Sequence, residues 1–211
     1  MPNSFEGDVI IGGELTLGGE LSPKKDRSDI LTQGLLRPFT IPMSAWRDPA
    51  SYATVLAAAP NPDDSLGLVG GTHATNAPSL QTGDFGENGA EKTYSARAEI
   101  QLPWSYEAAE TVKIRFHAGM LTAIADTTCT LDIAVYKSDE DSTSTSDLCS
   151  TVAEANNMKS LVFKDIDFTI TATTLSPGDL LDVLITVTAR DDDTAVATGC
   201  IGSVQLLCDV R

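Results

Sequence analysis

Five stretches of this chain alternate apolar and polar side chains with a period of two, and that alternation leaves few folds open. Tyr94, Ala96, Ala98, Ile100 and Leu102 share one side, opposite Arg97, Glu99 and Gln101. Val112, Ile114, Phe116, Ala118 and Met120 stand opposite Lys113, Arg115 and His117. The same rule places together Cys129, Leu131, Ile133 and Val135, then Leu181, Val183, Ile185 and Val187, then Val204, Leu206, Cys208 and Val210. Successive side chains of a strand point to opposite faces, so each segment has one dry face and one wet face. Such strands belong to antiparallel sheets whose apolar faces pack against each other.

Shorter signals extend the pattern. A strand is expected within 35–46, with Phe39, Ile41 and Met43 on one face. Pro38 and Pro42 remove ladder donors and put them at a sheet edge or at the start of a strand. Further strands are expected at 66–69 and at 161–170, the latter with Phe163, Phe168 and Ile170 as core residues. Seven or eight strands joined by long crossings predict an antiparallel β-sandwich of jelly-roll type. Asp48-Pro49-Ala50 reads as a helix start running to residue 59, with Asp48 as its cap. Residues 60–92 read as a loop offering a contact surface. An acidic, Ser/Thr-rich stretch at 138–146 is followed by a short helix or irregular crossing over 148–155.

The first residues carry a repeat of their own. Gly7-Asp8-Val9-Ile10-Ile11-Gly12 is followed by Gly13-Glu14-Leu15-Thr16-Leu17-Gly18 and then Gly19-Glu20-Leu21-Ser22. The paired apolar residues face one side of a very short strand, a strip too narrow to bury itself. It is expected either to intertwine with sister chains or to form a hairpin on its own domain. The domain division is therefore 1–34, a repeat arm and linker, and 35–211, the β-sandwich. Val9, Ile11, Leu15, Leu17 and Leu21 are the expected assembly contacts.

Charge and motif content exclude several classes. Thirty acidic against fourteen basic residues give a net charge of −16, which repels nucleic-acid phosphates and anionic lipid. No apolar run is long enough to span a membrane as a helix. Met1-Pro2-Asn3-Ser4 lacks the features of a signal peptide, predicting a protein made in the cytoplasm. Cys129, Cys149, Cys200 and Cys208 lack paired spacing and read as reduced core thiols, with a zinc site or a disulfide as the alternatives. His73 and His117 accompany no nucleophile elbow or zinc motif. The acidic runs Asp63-Asp64, Asp139-Glu140-Asp141 and Asp191-Asp192-Asp193 read as solvated turns rather than calcium loops. Trp46 and Trp104 read as packing plugs, with a stacking platform as the alternative. No enzyme activity, metal or cofactor is expected.

A string of short motifs resembles a family of small structural proteins encoded among tailed-phage virion genes. They include Leu66-Gly67-Leu68-Val69-Gly70-Gly71-Thr72, Ala77-Pro78-Ser79-Leu80-Gln81-Thr82-Gly83-Asp84 and Leu175-Ser176-Pro177-Gly178-Asp179, with Leu102-Pro103, Ala118-Gly119-Met120 and Val135-Tyr136 between them. The resemblance covers about residues 36–210, and the glycine-rich repeat is similar to the N-terminal strips of trimeric phage fibre and head proteins. It implies a jelly-roll-like, trimeric virion component: a capsid decoration or cement protein, a head fibre, or a tail-fibre adaptor. The first reading is a homotrimeric decoration protein on the capsid surface that bridges subunits of the major capsid protein. A receptor- or glycan-binding fibre or tail adaptor is the second reading, and a polysaccharide hydrolase a third. The resemblance brings no catalytic residues. If the repeat drives assembly, light scattering of the whole chain gives a trimer and the chain beginning at Leu35 a monomer; equal masses contradict it.

Overall fold

The structure, a computed structural model, describes residues 36–54, 65–85, 90–122, 129–139, 143–144, 146–149, 156–191 and 196–210. The arm residues Val9, Ile11, Leu15, Leu17 and Leu21 lie outside them. Eleven strands follow in order: β1 Arg37–Ile41, β2 Gly67–Val69, β3 Ser79–Gln81, β4 Glu91–Gln101, β5 Val112–Met120, β6 Cys129–Asp139, β7 Thr143–Ser144, β8 Asn156–Asn157, β9 Lys164–Ile170, β10 Leu180–Arg190 and β11 Gly199–Cys208. A single 3-10 turn, Met43–Ala45, is the only helical element among the described residues.

The strands form two sheets. One runs β2-β3-β11-β5-β9, with β1 also paired to β11; the other runs β4-β10-β6 and is continued by β7 and β8 beside β6. Every named strand pair is antiparallel. The long strands change sheet at each step: β4, β6 and β10 lie in one, β5, β9 and β11 in the other. That alternation gives the expected jelly-roll sandwich.

The period-two pattern sets which residues meet between the sheets. All the inward residues read from the five segments are buried except Val210, which is half-buried and packs against the core. Phe116 and Phe168 meet edge to face at 5.7 Å and 84°, a preferred aromatic geometry. Each such side chain contributes about 1.5–3 kcal/mol on burial. On the wet side of β5, charge completes the pairing. Arg115 donates to both carboxylate oxygens of Asp167 at 2.6 and 2.9 Å, and His117 Nδ1 lies 2.8 Å from Asp165. The Arg115 guanidinium holds the Asp167 carboxyl below its ordinary range.

β1 is the edge strand that its prolines predicted, pairing only with β11. The four cysteines are free and buried, and burial pushes the Cys129 thiol up to about 12 and Cys208 to about 11.

Several expectations need correction. No helix starts at Asp48. Its carboxylate does cap a turn, accepting from the amides of Ala50 at 3.1 Å and Ser51 at 2.7 Å. The turn ends at Tyr52, whose φ of 57° is left-handed and cannot continue a helix; residues 55–59 lie outside the described part. The 60–92 loop contains β3 and the start of β4. Phe163 is not core: it precedes β9 and sits on the wet side, its ring 5.8 Å from that of His117. It fills the space over Gly119, where an added Cβ would come within 2.7 Å of it. Asp191 is fully buried, so its part of the acidic run is no solvated turn. Asp63-Asp64 and Glu140-Asp141 lie outside the described residues, as does 150–155 of the expected helix or crossing.

Phe168→Ala removes one partner of the aromatic pair and leaves a cavity. Chemical denaturation is expected to show a loss of about 3–5 kcal/mol; a loss under about 1 kcal/mol would place Phe168 outside the core.

Candidate functional site: the wet face of the β4-β10-β6 sheet

Trp104 departs most from its sequence reading. The chain leaves β4 at Gln101, buries Leu102 completely, and turns over Pro103–Tyr106, closed by the Tyr106 amide donating to the Pro103 carbonyl at 2.9 Å. Tyr106 drives its ring inward and donates to the Glu110 carbonyl at 2.7 Å; burial pushes its hydroxyl up to about 12. The turn is thus anchored by the residues on either side of Trp104, which itself is 78% exposed. Trp46, by contrast, is wholly buried, the plug that was expected.

The Trp104 ring is held from beneath. The Leu102 amide donates to Asp179 and the Gly178 amide to Leu102, at 2.9 and 3.2 Å, zipping the β4–β5 loop to the segment before β10. Gly178 has a φ of 86°, and a Cβ there would come within 2.7 Å of the Trp104 ring. Glycine therefore serves twice: it takes the left-handed conformation and lets the indole lie on the backbone. One ring face is seated and the other is open.

Gln101 ties this turn to the neighbouring sheet face, donating through its side-chain amide to the Gly178 carbonyl at 3.1 Å. From there the register orders the outward side chains in rows across β4, β10 and β6. Gln101, Leu180 and Ser138 form the first row; Glu99, Asp182 and Tyr136 the second; Arg97, Leu184 and Ala134 the third. Ser95, Thr186 and Asp132 follow, and then Thr93, Thr188 and Thr130. At strand rise this face runs about 27 Å along β4.

Its centre is a knot of charge and ring. Arg97 donates in parallel to both oxygens of Asp182, at 2.6 Å each. The Tyr52 ring lies over its guanidinium at 5.4 Å, and the Tyr52 hydroxyl donates to Glu99 at 3.0 Å. Burial, then the Glu99 bond, pushes the Tyr52 hydroxyl above its ordinary value. Tyr52 reaches this position from its left-handed turn, which is pinned to the β4 edge. Asp48 accepts from the Ser65 hydroxyl, Arg47 exchanges backbone bonds with Arg97 at 2.7 and 2.9 Å, and Leu66 donates to Ser95. The Ser65 hydroxyl first, then the Ser51 amide and hydroxyl, hold the Asp48 carboxyl at about 2.

The far end is hydroxyl-rich. Thr93 and Thr188 hydroxyls lie 3.0 Å apart, Ser95 and Thr186 3.5 Å apart, and Thr130 donates to the Thr188 carbonyl at 3.2 Å. Beside them opens a groove of about 570 Å³ lined by Asp48, Ala50, Ser65, Lys92, Thr93 and Ser95. Asp132 is partly withdrawn from water, and burial raises its carboxyl above the usual range.

The sequence reading placed Arg97, Glu99 and Gln101 on one strand face, yet it did not join Trp104 to them. Tyr52 was missed because its side chain reaches the sheet from a distant turn. His117 and its carboxylate partner lie on the other sheet. Among the described residues no group of three or more His, Cys, Asp or Glu side chains converges as a metal site would.

No family model matches the chain, and no curated protein matches it. Solved structures give distant likenesses. The xylan-binding module CBM15 is 13% identical with a TM-score of 0.41, over 83% of this chain and 99% of that one. The CBM22-1 xylan-binding domain of Paenibacillus barcinonensis Xyn10C is 15% identical with a TM-score of 0.36, over 69% and 82%. The K1 cleaved adhesin domain of Lys-gingipain from Porphyromonas gingivalis W83 is 13% identical with a TM-score of 0.37, over 83% and 99%. At that level none of them bears on what this chain binds.

Proposed function

We propose that the domain is a non-catalytic binding module that takes an extended saccharide chain along the wet face of the β4-β10-β6 sheet. The observation that carries this reading is the open indole of Trp104, seated on Gly178 and 78% exposed. The open indole presents a flat apolar face to solvent, and a sugar ring offers an apolar C–H face that stacks on it. The neighbouring rows supply what the rim of a sugar needs: the Gln101 amide, the Tyr52 hydroxyl, and the Ser95, Thr186, Thr93 and Thr188 hydroxyls. The face is long and shallow, suiting the middle of a chain better than a single small molecule, which would need an enclosing pocket.

This is the second of the two main readings drawn from the sequence. The first, a homotrimeric capsid decoration protein seated on the major capsid protein, is supported by the motif string over about 36–210 and by the repeat at 7–21. A glycan-binding domain carried on a virion by that arm would satisfy both.

The test is a panel of soluble polysaccharides run by affinity electrophoresis against the native chain and Trp104→Ala. At least one glycan is expected to retard the native chain, and the variant is expected to bind it at least about tenfold more weakly, the worth of one well-stacked aromatic. Equal retardation of both proteins would remove Trp104 from the site, and no retardation by any glycan would sink the reading.

A further inference from the structure

The cations on and around the proposed saccharide face are already engaged. Arg97 donates through Nε and Nη2 to Asp182 and lies under the Tyr52 ring. Lys137, beside the loop that seats Trp104, pairs with Asp179 at 2.9 Å. Arg47 donates to the carbonyls of Ser44 and Trp46 at 2.6 and 3.0 Å, and Lys92 to the Asp84 carbonyl at 3.0 Å. Arg190, at the far end of β10, stands in register with Glu91. The outward carboxylates of the five rows are Glu99, Asp182 and Asp132, and Glu99 is exposed at the centre of the face.

Resting on the saccharide reading above, we infer that this face selects uncharged chains and rejects those bearing carboxylate, sulfate or phosphate groups. An anionic sugar can take the Nε–Nη2 edge of Arg97 only by displacing Asp182, uncovering a carboxylate that then repels it, and at Nη1 it meets a guanidinium whose charge Asp182 already offsets. A bidentate pair of that geometry is expensive to open. The chain's net charge of −16 adds a long-range repulsion that salt screens over about 10 Å at 0.1 M. Rejection of this kind works by a built-in unfavourable contact rather than a better fit to the preferred ligand.

The experiment compares matched neutral and carboxymethylated forms of cellulose, xylan and dextran by isothermal titration of the full chain at low and high salt. The neutral form of a bound backbone is expected to bind at least about tenfold more tightly at low salt, the gap narrowing as salt rises. Glu99→Gln and, separately, Asp182→Asn are expected to narrow the gap at fixed salt. The inference is overturned if the carboxymethylated chain binds as tightly as the neutral one while Trp104→Ala still weakens both; the saccharide reading then survives alone. Absence of binding by every neutral form removes both.

Discussion

The dry layer between the two sheets is the constraint on which everything else rests. β10 lies at its centre, paired on both edges, with Leu181, Val183, Ile185, Val187 and Ala189 all buried. Its alternate residues, Asp182, Leu184, Thr186 and Thr188, have no choice but the opposite face. A slip of one residue would bury Asp182 and expose Val183. Core packing thus fixes the spacing and order of the polar rows on which the proposed ligand would lie. The same strand makes the core and lays out the site.

Edges decide where the face ends. β4 is the outer strand of its sheet, and an unpaired edge invites association with other chains. Here Arg47 and Leu66 take up its backbone groups at Arg97 and Ser95. The turn that delivers Arg47 also delivers Tyr52, and Asp48 locks it through Ser65 and its own cap bonds. Tyr52 holds a left-handed backbone that few non-glycine residues accept, a strain kept only where surroundings compensate it. Its compensation is contact with Arg97 and Glu99, at the middle of the face. At the other end, the buried Leu102 and Tyr106 hold their turn while leaving Trp104 in water.

The regular part of this fold was legible because alternation reports directly on sheet faces. Tyr94 to Leu102 and Leu181 to Val187 were read residue by residue, and the edge role of β1 followed from two prolines. What failed was the irregular part. Trp104 read as a plug because a tryptophan after a proline in a turn carries no signal of which way its ring points; Gly178, more than seventy residues later, decides that. Asp48-Pro49-Ala50 carries a true capping signal, and the left-handed backbone of Tyr52 ends the turn there. Phe163 belongs to an apolar run without alternation, so its face could not be assigned. The site rows needed strand register, and β4 and β10 are adjacent in space though β5, β6 and β9 separate them in sequence.

The central claim is that the open indole and the rows beside it form one binding face. The most direct measurement is a two-dimensional amide and indole N–H spectrum of the labelled chain during titration with a neutral oligosaccharide that the panel selects. The Trp104 indole signal and the amides of Gln101, Leu180 and Asp182 should move together and saturate at one ligand concentration, while Trp46, Arg115 and Asp167 stay in place. Movement confined to the Arg115 and Asp167 face, or a Trp104 signal that never shifts, would contradict it.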